Sequence, residues 1–137
     1  WGWELIRNDS DKSFFWIGQE LPFRWIAVNW RDGNHFSKED ALEYLQEFPQ
    51  EHFSSIRYNQ DYLNIEFDDF NNESAYRVFG LWESIDDAKG GPFQGYIFYD
   101  YENDRTFYIS YIVFNPGGKK AFYMRQMEMI AKTIDIN

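Results

Sequence analysis

The sequence contains no cysteine, which excludes disulfides, thiolate nucleophiles and cysteine-ligated zinc but leaves both reducing and oxidising compartments open. Histidine is nearly as scarce. His35 and His52 are the only two, each near a loop or helix end, and without the i, i+4 spacing of a zinc-binding helix they read as solvated side chains. No apolar run approaches the roughly twenty residues of a membrane-spanning helix, so no transmembrane segment is expected in this chain. Positive charge is in deficit. Thirteen Lys and Arg face 23 Asp and Glu, and the net charge of −10 repels phosphate backbones and anionic headgroups, which excludes nucleic acid as a first-choice partner and favours a cationic or neutral one. An initiator Met is also missing. The chain opens at Trp1 with no basic region ahead of an apolar stretch, as expected of a processed form or a piece cut from something longer.

What the sequence has in excess is aromatic residues: six Trp, ten Tyr and fourteen Phe among 137 positions. One domain of this length can bury a large aromatic core, and Tyr and Trp with polar tips also build stacking platforms and interface hot spots. Alternation of large apolar residues places strands at Trp1–Arg7, Ser13–Gly18 and Phe23–Trp30, the last two forming a hairpin around Gln19-Glu20-Leu21-Pro22. After the break at Arg31-Asp32-Gly33-Asn34, Ser37 offers an N-cap, and Ala41, Leu42, Leu45 and Phe48 recur at helical spacing. Pro49 ends that helix at about Phe48. Tyr62–Phe67, with Leu63, Ile65 and Phe67 on one face, and Ala75–Ser84 read as two further strands, separated by a loop at Asp68-Asp69-Phe70-Asn71-Asn72.

The stretch from Gly90 to Ile134 carries the most local information. Gly90-Gly91-Pro92-Phe93 reads as a turn, followed by two aromatic strands joined at Asn103-Asp104. A two-residue turn there sets Glu102 opposite Arg105, Tyr99 opposite Tyr108 and Phe98 opposite Ile109. One face then carries Tyr96, Phe98, Phe107, Ile109, Tyr111 and Val113. The other carries Ile97, Tyr99, Tyr101, Tyr108, Ser110, Ile112 and Phe114, and its tyrosines suit an open side. Beyond Asn115-Pro116-Gly117-Gly118, Tyr123, Met127, Ile130, Ala131 and Ile134 line one face of a second helix. The element order is βββα-ββββα, a single α+β domain over residues 1–137 with about seven mainly antiparallel strands in one twisted sheet and both amphipathic helices on one face. Hairpin, glycine break and helix occur twice, at 14–48 and 96–134, which fits either an ancient duplication or two ββα units that arose separately.

Catalytic signatures are missing from the motifs. Asn115–Lys120 stands between strand and helix as a phosphate loop does, yet Val113 replaces the first Walker glycine and Lys120 the final Ser or Thr. Asp68-Asp69 and Asp86-Asp87 lack the spacing and fixed glycine of a calcium loop, and no Gly-x-Ser-x-Gly elbow occurs. No metal or cofactor is expected. Arg125 and Glu128, three apart on the second helix, are placed to form an ion pair.

Gly80-Leu81-Trp82-Glu83, a short acidic connector, Gly90-Gly91-Pro92-Phe93, the hairpin, and a helix bearing Arg125-Gln126-x-Glu128 resemble the C-terminal part of a Bacteroidetes family of secreted lipoproteins, a domain of unknown function. The likeness is clearest from Gly80 to Ile134 and departs from the family pattern at Ile112–Asn115. It implies a cell-envelope location, with a lipid anchor on a part of the chain preceding Trp1, and it brings no catalytic residue.

Three functions follow as expectations. The leading one is a non-catalytic binding module whose aromatic sheet face, with Tyr99, Tyr101 and Tyr108, meets a glycan, peptide or protein. The second is a carboxylate-dependent glycan hydrolase, which needs two acids across a cleft. The third is an acidic immunity-type inhibitor of a basic partner.

Overall fold

Hydrophobic alternation interrupted by Gly, Asn and Asp produces eight strands and two helices in the computed structural model, which describes residues 4–9, 14–19, 23–52, 56–86, 89–114, 118 and 120–133. The strands are β1 (Glu4–Asp9), β2 (Phe14–Gln19), β3 (Phe23–Asp32), β4 (Ile56–Tyr58), β5 (Asn64–Phe70), β6 (Glu73–Ser84), β7 (Gly90–Asp100) and β8 (Arg105–Phe114). The helices are α1 (Lys38–His52) and α2 (Ala121–Ala131). All strands pair antiparallel in one sheet, in the order β1-β2-β3-β8-β7-β6, with β4 and β5 following one another along the outer edge of β6. The α+β class and the antiparallel sheet match the sequence reading. The added strand is β4, three residues long and too short to leave a periodic signal.

The helices do not share a face. Along β3, Trp25 and Ala27 join a cluster with Ala41, Tyr44, Leu45 and Phe48 of α1, whereas Ile26 and Val28 join one with Met127 and Ala131 of α2. Successive strand residues point to opposite sides, so α1 and α2 clamp the sheet between them. The cause is β8, in which Thr106 through Val113 are all buried: a strand with two apolar faces needs cover on both. The face memberships assigned to the hairpin therefore hold, but the tyrosine-bearing face is roofed by α1 over its middle and is not open there. The described parts of the two hairpin-plus-helix units consequently carry their helices on opposite sides of the sheet.

Turn chemistry explains the remaining differences. Asp100 faces Arg105 and Phe98 faces Phe107, so the β7–β8 loop is four residues long, Tyr101 to Asp104. Its centre is the Asp100 carboxylate, which accepts from the Glu102 amide at 3.2 Å, Asn103 at 3.0 Å and Arg105 at 3.1 Å. Of Asn103 and Asp104 only Asp104 has positive φ (51°). The two-residue turn with both residues at positive φ lies instead at Asn71 (50°) and Asn72 (70°), closing β5 onto β6 with Phe70 opposite Glu73. Because the register moved by two residues, an even number, the faces survived the error. Gly33, at φ 90°, ends β3 and donates to the Asp104 carbonyl at 2.7 Å.

Helix α1 starts as expected, with the Asp40 amide donating to the Ser37 hydroxyl at 3.1 Å. It runs on through Pro49 to His52. Proline costs the helix one hydrogen bond, but Phe48 and Pro49 are both buried against neighbours, and that packing outweighs the local penalty. Of the α2 stripe, Met127 and Ala131 are buried and Tyr123 and Ile130 half-buried, while Ile134 lies outside the described residues. Neither helix is long and apolar enough to cross a membrane among the described residues. Replacing the fully buried Phe48 by Ala should lower the unfolding free energy by about 3 to 5 kcal/mol in urea titrations followed by circular dichroism.

Candidate functional site

The three tyrosines expected to form a contact face separate. Tyr108 is 2 % exposed beneath α1, edge-on to Tyr44 at 5.2 Å and to Phe48 at 4.9 Å, with its hydroxyl 3.0 Å from that of Tyr58. Burial first, and then the neighbouring Tyr58, push its ionisation far above the ordinary tyrosine range. It is a core residue and unavailable to a partner. Tyr99 is half-buried and donates to the Asp104 carboxylate, and its ring lies 4.7 Å from that of Tyr101, which is 75 % exposed at the loop tip.

Near this pair the structure assembles three aromatics that the sequence reading had not offered as contact residues. Phe67 and Tyr76 are cross-strand partners on β5 and β6, with rings 5.7 Å apart, and Phe36 lies 4.7 Å from Tyr76 and 6.4 Å from Phe67. Tyr76 pairs with Ile97, and Tyr99 stands two residues further along β7 on that same face. Phe36 is held by the loop before α1: its amide donates to Asn34 at 3.0 Å, and the preceding His35 amide donates to the Thr106 hydroxyl at 2.9 Å. Five aromatic side chains thus occupy the end of the α1 face beyond the helix, with Phe67 67 % exposed. The rings tilt at 37° to 90° to each other, so they present edges and faces at several angles and do not form one flat stacking plane. Such a surface suits apolar side chains or sugar C–H faces approaching from the edge of the sheet.

The residues that carried the family likeness are mostly architectural. Gly90-Gly91-Pro92-Phe93 is the first part of β7, paired with Gly80–Glu83, and not a turn. A Cβ on Gly91 would stand 2.4 Å from the Val113 carbonyl oxygen, and one on Gly80 2.7 Å from the Tyr62 carbonyl oxygen. A Cβ on Gly90 would meet the Trp82 carbonyl at 2.8 Å. Trp82 fills the space so made and donates its indole N–H to Val113 at 3.3 Å. Pro92 is tolerated because the β7–β8 ladder begins only at Phe93, which stacks on Tyr58 at 3.9 Å. Leu81 is exposed, and Glu83 pairs with Arg57 at 2.8 Å on the surface. An open groove of about 460 Å³ runs beside Leu81–Ser84 and Lys89–Gly91, walled largely by these backbone segments.

On α2, Glu128 turns toward the sheet instead of pairing with the exposed Arg125. It accepts from the Tyr96 hydroxyl and from Gln94 at 3.4 Å, with Lys132 at 3.7 Å, while Gln126 is half-buried. Burial, followed by the hydrogen bond to Glu128, pushes Tyr96 up from 10.0 to about 12. The other face holds a cavity of only about 10 Å³ between β3, α1, β7 and β8, lined by Arg31, His35, Tyr44 and Tyr108, with room for a single water.

Two stability tests follow. Gly91→Ala should cost about 2 kcal/mol or more, read as a lowered urea midpoint, because the obstructing atoms are backbone. The raised Tyr96 ionisation predicts stabilisation that is intact below pH 10 and lost as pH rises toward about 12, since the unfolded chain releases that proton first. Tyr96→Phe should reduce the alkaline loss in pH-dependent denaturation without abolishing it, because burial also pushes up Tyr58, Tyr108 and Tyr111.

No curated protein matches the chain. Residues 4–133 match the family model described as Domain of unknown function (DUF4837). With nearly its whole length covered, the chain belongs to that family.

Proposed function

We propose that the protein is a non-catalytic binding module of the cell envelope that engages its partner through the aromatic patch formed by Phe36, Phe67, Tyr76, Tyr99 and Tyr101. The observation that carries this reading is Phe67: a large apolar ring left 67 % exposed while touching two other rings, where about half of the aromatics among the described residues are buried. Mutual packing pre-organises the rings, so little side-chain entropy remains to be lost on binding. The envelope location rests on the lipoprotein likeness in the Gly80–Ile134 segment. The middle of each sheet face is filled by a helix, which leaves the margin of the sheet as the place for contact.

Nuclear magnetic resonance titration with peptidoglycan fragments, outer-membrane oligosaccharides and short peptides tests the reading. Saturable shifts should centre on Phe36, Phe67, Tyr76, Tyr99 and Tyr101, and Phe67→Ser combined with Tyr76→Ser should weaken binding about tenfold or more while leaving the fold intact. Shifts centred on the groove beside Gly90 and Gly91, or none for any ligand, would overturn it.

A further inference from the structure

Phe67, the most exposed apolar ring of the patch after the Tyr101 tip, lies on β5, and β5 is a sheet edge: among the described residues it pairs with β6 alone. The two-residue turn at Asn71-Asn72 makes Phe70 and Glu73 a hydrogen-bonded pair, so Asn64, Glu66, Asp68 and Phe70 direct their backbone groups to β6. Ile65, Phe67 and Asp69 then direct theirs outward. The Asp69 amide confirms this, since it turns aside to its neighbour's carboxylate and donates to Asp68 at 2.7 Å. Among the described residues no strand pairs with the outward amides of Ile65 and Phe67, beside the exposed Phe67 ring.

The side chains on this edge follow a pattern. Ile65, Phe67 and Asp69 lie on the face of the patch, and Asn64, Glu66 and Asp68 lie on the other. Glu66, Asp68 and Asp69 are all exposed, and among the described residues only Glu66 of the three has an ion-pair partner, Arg77 at 3.5 Å. Three carboxylates on one strand, in a chain of net charge −10, repel a second copy of the same edge and attract a cationic one.

Resting on the binding-module reading, we propose that β5 accepts an added strand from another protein: an extended basic segment in which apolar residues alternate with Lys or Arg. Its apolar side chains lie over Ile65 and the Phe67–Tyr76–Phe36 patch, its cations lie against Glu66 and Asp68, and its backbone bonds to Ile65 and Phe67.

A fluorescein-labelled peptide of alternating lysine and valine is the probe, with an alternating glutamate and valine peptide as control. The basic peptide should bind with an affinity that falls about tenfold between low and high salt, and the acidic one should not bind. Amide exchange at Ile65 and Phe67, fast in the free protein, should slow on binding. Ile65→Pro removes one outward N–H without breaking the β5–β6 ladder, and it should weaken binding about tenfold relative to Ile65→Ala, which trims the same half-buried side chain but keeps the N–H, with an unchanged circular dichroism spectrum. If that variant does not fold, the exchange measurement on the native chain decides. Absence of binding by the basic peptide overturns the inference. Binding that shifts the patch rings, leaves both amides fast and ignores Ile65→Pro overturns strand addition while the patch reading stands. Patch rings unmoved by every ligand overturn that reading as well.

Discussion

The two-sided burial of β8 is the constraint on which the rest of the architecture depends. Eight successive buried residues cannot be hidden by one layer, so the chain must supply cover twice. It does so by placing a helix after β3 and another after β8, the two strands that pair at the centre of the sheet. Helix α1 brings aromatic rings to one side, and α2 brings Met127 and Ala131 to the other. The glycines of β6 and β7 serve the same end by letting Trp82 and Phe93 seat closely at the far end of the hairpin.

The elements were legible in the sequence where a local rule was strong. The Ser37 cap, the helical stripes of α1 and α2, the β2–β3 hairpin and the alternating strands were all readable from short windows. The side on which each helix packs was not, because local periodicity assigns residues to faces without saying what covers them. A signal did exist: Phe107–Phe114 has Ser110 as its only non-aromatic polar residue, and a run that apolar points to burial on both faces. The turns failed for a related reason. Asn103-Asp104 and Asn71-Asn72 look equally suited to a tight hairpin, and the Asp100 carboxylate, which binds three donors around the longer loop, decides between them.

The proposed contact surface was half legible. Tyr99 and Tyr101 do stand at the surface, but Tyr108 belongs to the interior because α1 lies over it. Phe67, by contrast, has the alternation of a core residue and remains uncovered because α1 does not reach the β5 edge. Alternation reports which residues share a side, and the reach of the covering helix determines which of them stay wet. In the Gly80–Glu83 and Gly90–Phe93 segments, the close backbone approaches at the glycines and the buried Trp82 and Phe93 account for the motif through packing.

The pairing of β3 with β8 also has a kinetic consequence. Their joined residues are more than seventy positions apart, as in the Thr106 hydroxyl that donates to the Gly33 carbonyl across 73 residues. Both hairpins and both helices can form from local contacts, yet neither core cluster closes until this distant pair meets. Loop-closure entropy is therefore met late, and until then the apolar faces of β3 and β8 stand open together. A chain this rich in aromatics passes through its most association-prone state just before its centre forms, and its strong negative charge keeps separate molecules apart during that interval.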